Sequence, residues 1–225
     1  MGFVSRLSHM AYTIRDKILL PNHCALIDAI NLLLDGAYPG AIALCSGLIQ
    51  RHGSRVKELF EERLQRAIDL RASGQYEAMR DQLLELAAER PDHALVQYQA
   101  ARVHDRLGQE TAAIPFYEKA LALGLNEPED EAGAYLGLGS TYRTLGQYEH
   151  AQRVLTAGRE KFPTHRSFDV FLAMTLHNLG EHSAAMRLLL LVVADTSGDA
   201  DVTAYKRAIA FYAEQVDRIW LDGEE

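Results

Sequence analysis

The chain has 225 residues, with 23 Lys and Arg against 31 Asp and Glu, giving a formal net charge of −8. Apolar residues make up 48% and charged residues 24%, a globular composition too rich in Leu and Ala for disorder. The acidic balance excludes a protein that coats nucleic acid or an anionic membrane, because either needs a basic face, and the two cysteines, Cys24 and Cys45, cannot build a disulfide framework.

The first twenty residues interleave Arg6, His9, Arg15, Asp16 and Lys17 with apolar side chains. This leaves neither the uninterrupted apolar run of a signal peptide nor a small-residue cleavage site. Phe3 or Val4, Leu7, Ala11, Ile14 and Ile18 share one helical face, so residues 1–21 read as an N-terminal capping helix. It would cover the next helix, Ala25 to Leu34, which is apolar almost all round. The most hydrophobic window, Ala25 to Ile49, is broken by Asp35, Gly36, Pro39 and Gly40, and reads as two helices about a turn rather than a membrane span. Cytoplasmic residence with reduced thiols is the expectation.

A repeat organises the rest of the chain. Ser73-Gly74-Gln75, Leu107-Gly108-Gln109, Leu145-Gly146-Gln147 and Leu179-Gly180-Glu181 recur with their glycines 34, 38 and 34 residues apart. A fainter copy, Asp35-Gly36-Ala37, lies 38 residues upstream of the first. Each glycine stands between two stretches of helical apolar periodicity, where it can take the positive φ that ends a helix. The unit is a helical hairpin. Seven residues before each glycine stand Ala29, Ala67, Ala101, Gly139 and Ala173, and five after it stand Ala41, Met79, Ala113, Ala151 and Ala185. Nine of these ten residues are small, Met79 being the exception, which lets the two helices of a hairpin approach closely. Nine after the glycine stand Cys45, Leu83, Tyr117, Leu155 and Leu189, placed to fill the space between units.

Residues 132–165 resemble a tetratricopeptide repeat, with Tyr135, Leu138, Gly139, Tyr142, Gly146, Tyr148, Ala151, Leu155, Gly158 and Pro163 at that family's spacing. Residues 94–127 are similar, carrying Ala101, Gly108, Ala113, Tyr117 and Ala120. Residues 60–93 keep Gly74, Tyr76, Leu83 and Pro91; residues 166–199 match less fully, and residues 22–55 depart at Asp28. The resemblance implies an all-α fold: a right-handed superhelical solenoid of about five antiparallel helix pairs, forming a single domain over residues 1–225. The two longer intervals are expected to lengthen a helix near Val56–Glu62 and the acidic loop Asn126–Glu131. At the far end, Val202, Tyr205, Ile209, Tyr212, Val216 and Ile219 form a stripe on an expected C-terminal capping helix over residues 200–221, with Asp199 or Asp201 at its start.

Catalytic and metal signatures are missing. His177 and His182 flank a turn at i,i+5, and no histidine pair has the i,i+4 spacing with a nearby carboxylate that a helical metal site uses. His104 shares a column with Leu70, Tyr142 and Leu176, which marks it as a packed histidine. Neither a nucleophile elbow nor a phosphate-cradling glycine loop is present, so no enzyme, cofactor or metal is expected.

The resemblance further implies that the first helix of each hairpin lines the concave face, where family members bind peptides. Counting back from the glycines, the candidate groove residues are Leu64, Tyr98, Leu136 and Val170 as an apolar rail. Beside it stand Ile68, Arg71, Arg102, Arg106, Arg143, Met174 and His177. Four arginines on the inner face of an acidic protein suit an acidic or carboxylate-bearing segment, because guanidinium forks pair with carboxylates. The alternative is structural pairing of these arginines with Asp105 and neighbouring acids. The Lys/Asn carboxylate clamp of the chaperone-tail-binding subgroup is absent, since Leu64, Tyr98 and Ile68 stand where its polar residues belong. The expected function is therefore a protein- or peptide-binding scaffold with no nucleic-acid or membrane partner. The alternatives are a homodimeric module anchored near Trp220 and a peptide-sensing regulator.

Overall fold

The computed structural model describes residues 39–220. Chain contacts divide the protein into two compact units, Met1–Glu61 and Glu62–Glu225. The expected capping helix 1–21, the Gly36 turn and Cys24 lie outside the described residues.

Ten α-helices follow Pro39, and no strand occurs among the described residues. Helix α1 (Pro39–Asp69) ends in a single 3₁₀ turn (Leu70–Ser73). It is followed by α2 (Tyr76–Glu89), α3 (Ala94–Arg106), α4 (Glu110–Leu123), α5 (Pro128–Thr144), α6 (Tyr148–Lys161), α7 (Ser167–Asn178), α8 (His182–Thr196), α9 (Ala200–Ala204) and α10 (Lys206–Ala213). The region Val56–Glu62 is helical throughout, so α1 carries the chain into the 60–93 repeat without a turn. No proline and no positive-φ glycine interrupts it.

The four glycine turns are built alike. Gly74, Gly108, Gly146 and Gly180 have φ of 71°, 68°, 75° and 84°, the left-handed region that costs a side chain about 1–2 kcal/mol. In each, the next amide reaches back across the turn: Gln75 N to Leu70 O, Gln109 N to His104 O, Gln147 N to Tyr142 O and Glu181 N to Leu176 O, at 2.9–3.1 Å. This is the Schellman closure, which satisfies carbonyls that the helix end would leave open. At the start of α5, Pro128 occupies the first turn, where its missing N–H costs nothing.

The small-residue columns are the hairpin contacts. Ala67, Ala101, Ala113 and Ala151 are fully buried, and Ala173 and Ala185 nearly so. At Gly139 a Cβ would lie 2.5 Å from Leu155 Cγ, so α5 and α6 meet where no side chain fits. Helices pack in sequence from α2 to α8, and the first helices of successive repeats also touch one another, α3 with α5 and α5 with α7. The first helices thus approach one another across repeats more closely than the second helices do, the side on which a curved array of hairpins would be concave. Leu83, Tyr117 and Leu155 fill the spaces between units as expected, but Leu189 at the same column is 36% exposed, since the short helices α9 and α10 rather than another hairpin come next in the described chain.

The C-terminal cap departs from the expected single helix. Asp199 does cap it, its carboxylate accepting from the amides of Asp201 and Val202 at 3.0 and 3.2 Å. The helix then breaks at Tyr205 (φ −100°, ψ 8°) into α9 and α10, and among the described residues no helix continues beyond Ala213. Thr203 Oγ1 donates to Asp199 O at 2.7 Å, a back-bond that competes with regular helix geometry. Beyond the break, α10 packs on α8 and buries Ala213, while Tyr205, Tyr212, Val216 and Ile219 face solvent.

Candidate functional site

The predicted groove residues separate into buried supports and accessible groups. Leu64 and Tyr98 are buried, at 2% and 5% exposure, and hold the fold together. Ile68, Leu136, Val170 and Met174 are half-buried, as are Arg71, Arg102 and Arg143; Arg106 and His177 are exposed. The apolar rail is therefore interrupted, and its accessible part is Leu136 and Val170.

Three of the arginines converge. Arg71 on the 3₁₀ turn and Arg102 and Arg106 on α3 line one pocket of about 290 Å³ with Tyr76, Met79 and Val103. The pocket exists because Gly74 turns the chain sharply enough to bring Arg71 and Tyr76 beside α3. Each guanidinium is positioned by an uncharged partner. Arg71 Nη2 donates to Gln99 Oε1 at 2.5 Å, Arg102 lies 5.4 Å from the Tyr98 ring centroid, and Arg106 lies 5.2 Å from that of Tyr76. Burial and the neighbouring Arg102 charge together hold Arg71 below the usual guanidinium pKa.

Asp105, the expected structural counter-ion, is engaged elsewhere. It accepts from Tyr117 Oη at 2.8 Å and from Thr141 Oγ1 at 2.9 Å, tying α3 to α4 and α5. Burial raises its pKa above the ordinary 3.8, and the two hydroxyl donors draw it partly back. A raised folded-state pKa means the native chain binds the proton more tightly than the unfolded one. Asp105 therefore favours the fold most below pH 3.8, and that contribution is lost as pH rises through the folded value. In Asp105→Asn the excess stability of wild type over variant is expected to shrink from pH 4 upward, read by denaturant titration. An excess that grows with pH contradicts this assignment.

Arg143, Met174 and His177 come together at a second pocket of about 480 Å³, with Asn178, His182, Met186 and Leu189. Arg143 Nη1 donates to Asn178 Oδ1 at 3.3 Å, while its Nε is buried without a partner. His177 and His182 share a hydrogen bond between their Nδ1 atoms at 3.2 Å. Among the described residues, no three His, Cys, Asp or Glu side chains group as metal ligands would. His104 is buried against the Phe116 ring, 5.4 Å between centroids, and its Nδ1 meets Gln109 Oε1 at 2.8 Å.

Column counting placed the arginines but missed what holds them. Gln99 stands outside the inner columns and becomes a site residue only because Arg71 reaches it across 28 positions of sequence. Tyr76 was visible as a turn-flanking aromatic, yet no spacing rule links it to Arg106.

A sequence model for the tetratrico peptide repeat matches residues 94–216. No curated protein matches the chain. A crystal structure of MamA superposes with a TM-score of 0.54 at 16% identity, over 66% of this chain and 88% of that one. A MamA RS-1 ArsTM double mutant gives 0.52 at 19% identity, over 95% and 97%. The APC/C hetero-tetramer Cut9–Hcn1 gives 0.56 at 16% identity, over 77% of this chain and only 34% of the other. At these identities the likeness is one of fold. With more than half its length matched and four turns closed in the same register, the chain belongs to the tetratricopeptide repeat family.

Proposed function

We propose that the protein is a non-catalytic, cytoplasmic adaptor that binds an acidic segment of a protein partner along the inner face of its first helices. The observation that supports this reading is the Arg71–Arg102–Arg106 pocket. Among the described residues none of these three guanidinium groups forms an ion pair, whereas Arg63, Arg80, Arg159, Arg166 and Arg187 are each paired with an acid. Surface arginines in a chain of net charge −8 have acids available to pair with. Three left together without one form an electropositive patch that attracts carboxylates of another chain. Arg143, farther along the same side, extends the patch. No helix among the described residues is long and apolar enough to cross a membrane.

Affinity purification of the tagged chain from its native cell, with Arg102→Glu/Arg143→Glu as comparison, tests this. The partner recovered by wild type is expected to be lost from the double variant while helicity and melting are unchanged. Equal recovery by both contradicts the proposal. A second reading, self-association, is favoured by the half-exposed Phe211, Tyr212 and Trp220 at the C-terminal end. Recovery of an untagged copy of the chain in the same experiment supports it, and its absence at high expression counts against it.

A further inference from the structure

We propose that the Arg71–Arg102–Arg106 pocket recognises a phosphoryl group carried on a side chain of the partner segment. This rests on the acidic-partner reading above and narrows it.

Stoichiometry of charge and of hydrogen-bond donors carries the argument. An arginine presents five N–H donors in one plane, and its charge is permanent. Arg102 and Arg106 sit over tyrosine rings, contacts that consume none of their N–H donors and leave them for the acceptors of a ligand. Arg71 uses one Nη2 donor on Gln99, which fixes its direction and leaves the rest of its fork. Three forks thus line one space of about 290 Å³. A carboxylate brings one charge and two oxygens, and satisfies two forks at most. A phosphoryl group brings about 1.5–2 negative charges and three terminal oxygens, enough for all three.

Electrostatics points the same way. Arg71 is held below its usual pKa by burial first and by Arg102 second, with Tyr98, Tyr76 and Asp130 acting in the opposite direction without reversing it. The pocket is therefore a place where like charges are held together against their repulsion. A dianion relieves more of that repulsion than a monoanion. Asp105, the nearest acid on α3, is committed to Tyr117 and Thr141. Met79 and Val103 give the pocket an apolar floor, and the remaining volume admits the backbone that carries the phosphoryl group.

The test uses the full chain and three fluorescein-labelled acidic nonapeptides that differ at one position: phosphoserine, glutamate or serine. Anisotropy is read at 0.15 M salt, where surface charge pairs are screened beyond about 8 Å. The phosphoserine peptide is expected to bind about tenfold or more tighter than the glutamate peptide. Arg71→Gln/Arg106→Gln is expected to bring the two to within about twofold, with far-ultraviolet dichroism and melting unchanged. Inorganic phosphate is expected to compete only at far higher concentration than the phosphopeptide. Binding of inorganic phosphate as tight as that of the phosphopeptide overturns the peptide-borne source. Equal affinity for phosphoserine and glutamate overturns the phosphoryl preference while leaving an acidic partner in place. A phosphoserine preference that survives in the double variant overturns the assignment to this pocket. Failure of all three peptides to bind overturns this inference together with the acidic-partner reading beneath it.

Discussion

Replacing Phe168 by alanine is expected to destabilise the protein by about 3–5 kcal/mol, as for other fully buried aromatic side chains. Phe168 has no exposed surface and is the largest side chain buried so completely among the described residues. Its ring stacks on Phe162 with centroids 6.3 Å apart, and on another side it meets Gly158, where even a Cβ would collide with the ring. Phe168 belongs to α7, and Gly158 and Phe162 to the end of α6, so the ring joins repeat 132–165 to repeat 166–199. In a solenoid each repeat leans on its neighbours alone, and losing one interface weakens coupling at that place. Denaturant titration is therefore expected to show residues 166–220 unfolding ahead of the rest, read by earlier loss of amide protection in α7 and α8. Phe211→Ala, at 50% exposure, is expected to change stability by about 0.5 kcal/mol or less. Similar losses for the two variants would contradict the packing described.

The second large effect concerns a buried charge. Asp169 is 5% exposed and accepts from Arg159 Nε at 2.5 Å and Arg166 Nη1 at 3.4 Å. Both arginines are nearly half-exposed, so each alone is worth little as an ion pair. Together they are what compensates the carboxylate. Arg159→Met/Arg166→Met leaves Asp169 buried without a cation and is expected to cost about 3 kcal/mol. That is the low end of the usual range for an orphaned buried charge, because Asp169 stands in the first turn of α7, where the helix dipole supports a negative group. Adding Asp169→Leu removes the orphaned charge and is expected to restore most of the stability, measured as denaturation midpoints of the double and triple variants. A triple variant no more stable than the double one would contradict this account.

The parts of the fold that sequence revealed are those governed by local stereochemistry. A glycine that must take positive φ, with mostly alanine seven before and five after it, marks a hairpin, and Gly74, Gly108, Gly146 and Gly180 all close with the same backbone hydrogen bond. Positions that depend on what lies opposite were less legible. Leu64 and Tyr98 share a column with Leu136 and Val170, yet the first pair is buried and the second half-exposed, because a column names a helix face and not its neighbour. Leu189 follows the same logic: its column fills an inter-repeat space only where another repeat exists. The C-terminal stripe misled for a different reason. Its spacing assumed one helix, whereas the break at Tyr205 turns α10 so that Ala213 rather than Tyr212 meets α8. At the site, the arginines were legible by register and their lack of carboxylate partners was not. Asp105 carries the right charge at the right column, but two hydroxyl donors from α4 and α5 claim it.

Hydrogen exchange of the full chain with and without its purified partner locates the binding face. Protection is expected to rise on α3 and on the turn from Leu70 to Tyr76, and to extend toward the end of α5 at Arg143. The C-terminal aromatics on α10 and beyond should exchange as before. Protection confined to residues 205–220, with α3 unchanged, would contradict an arginine-lined binding face and place the interaction at the end of the solenoid.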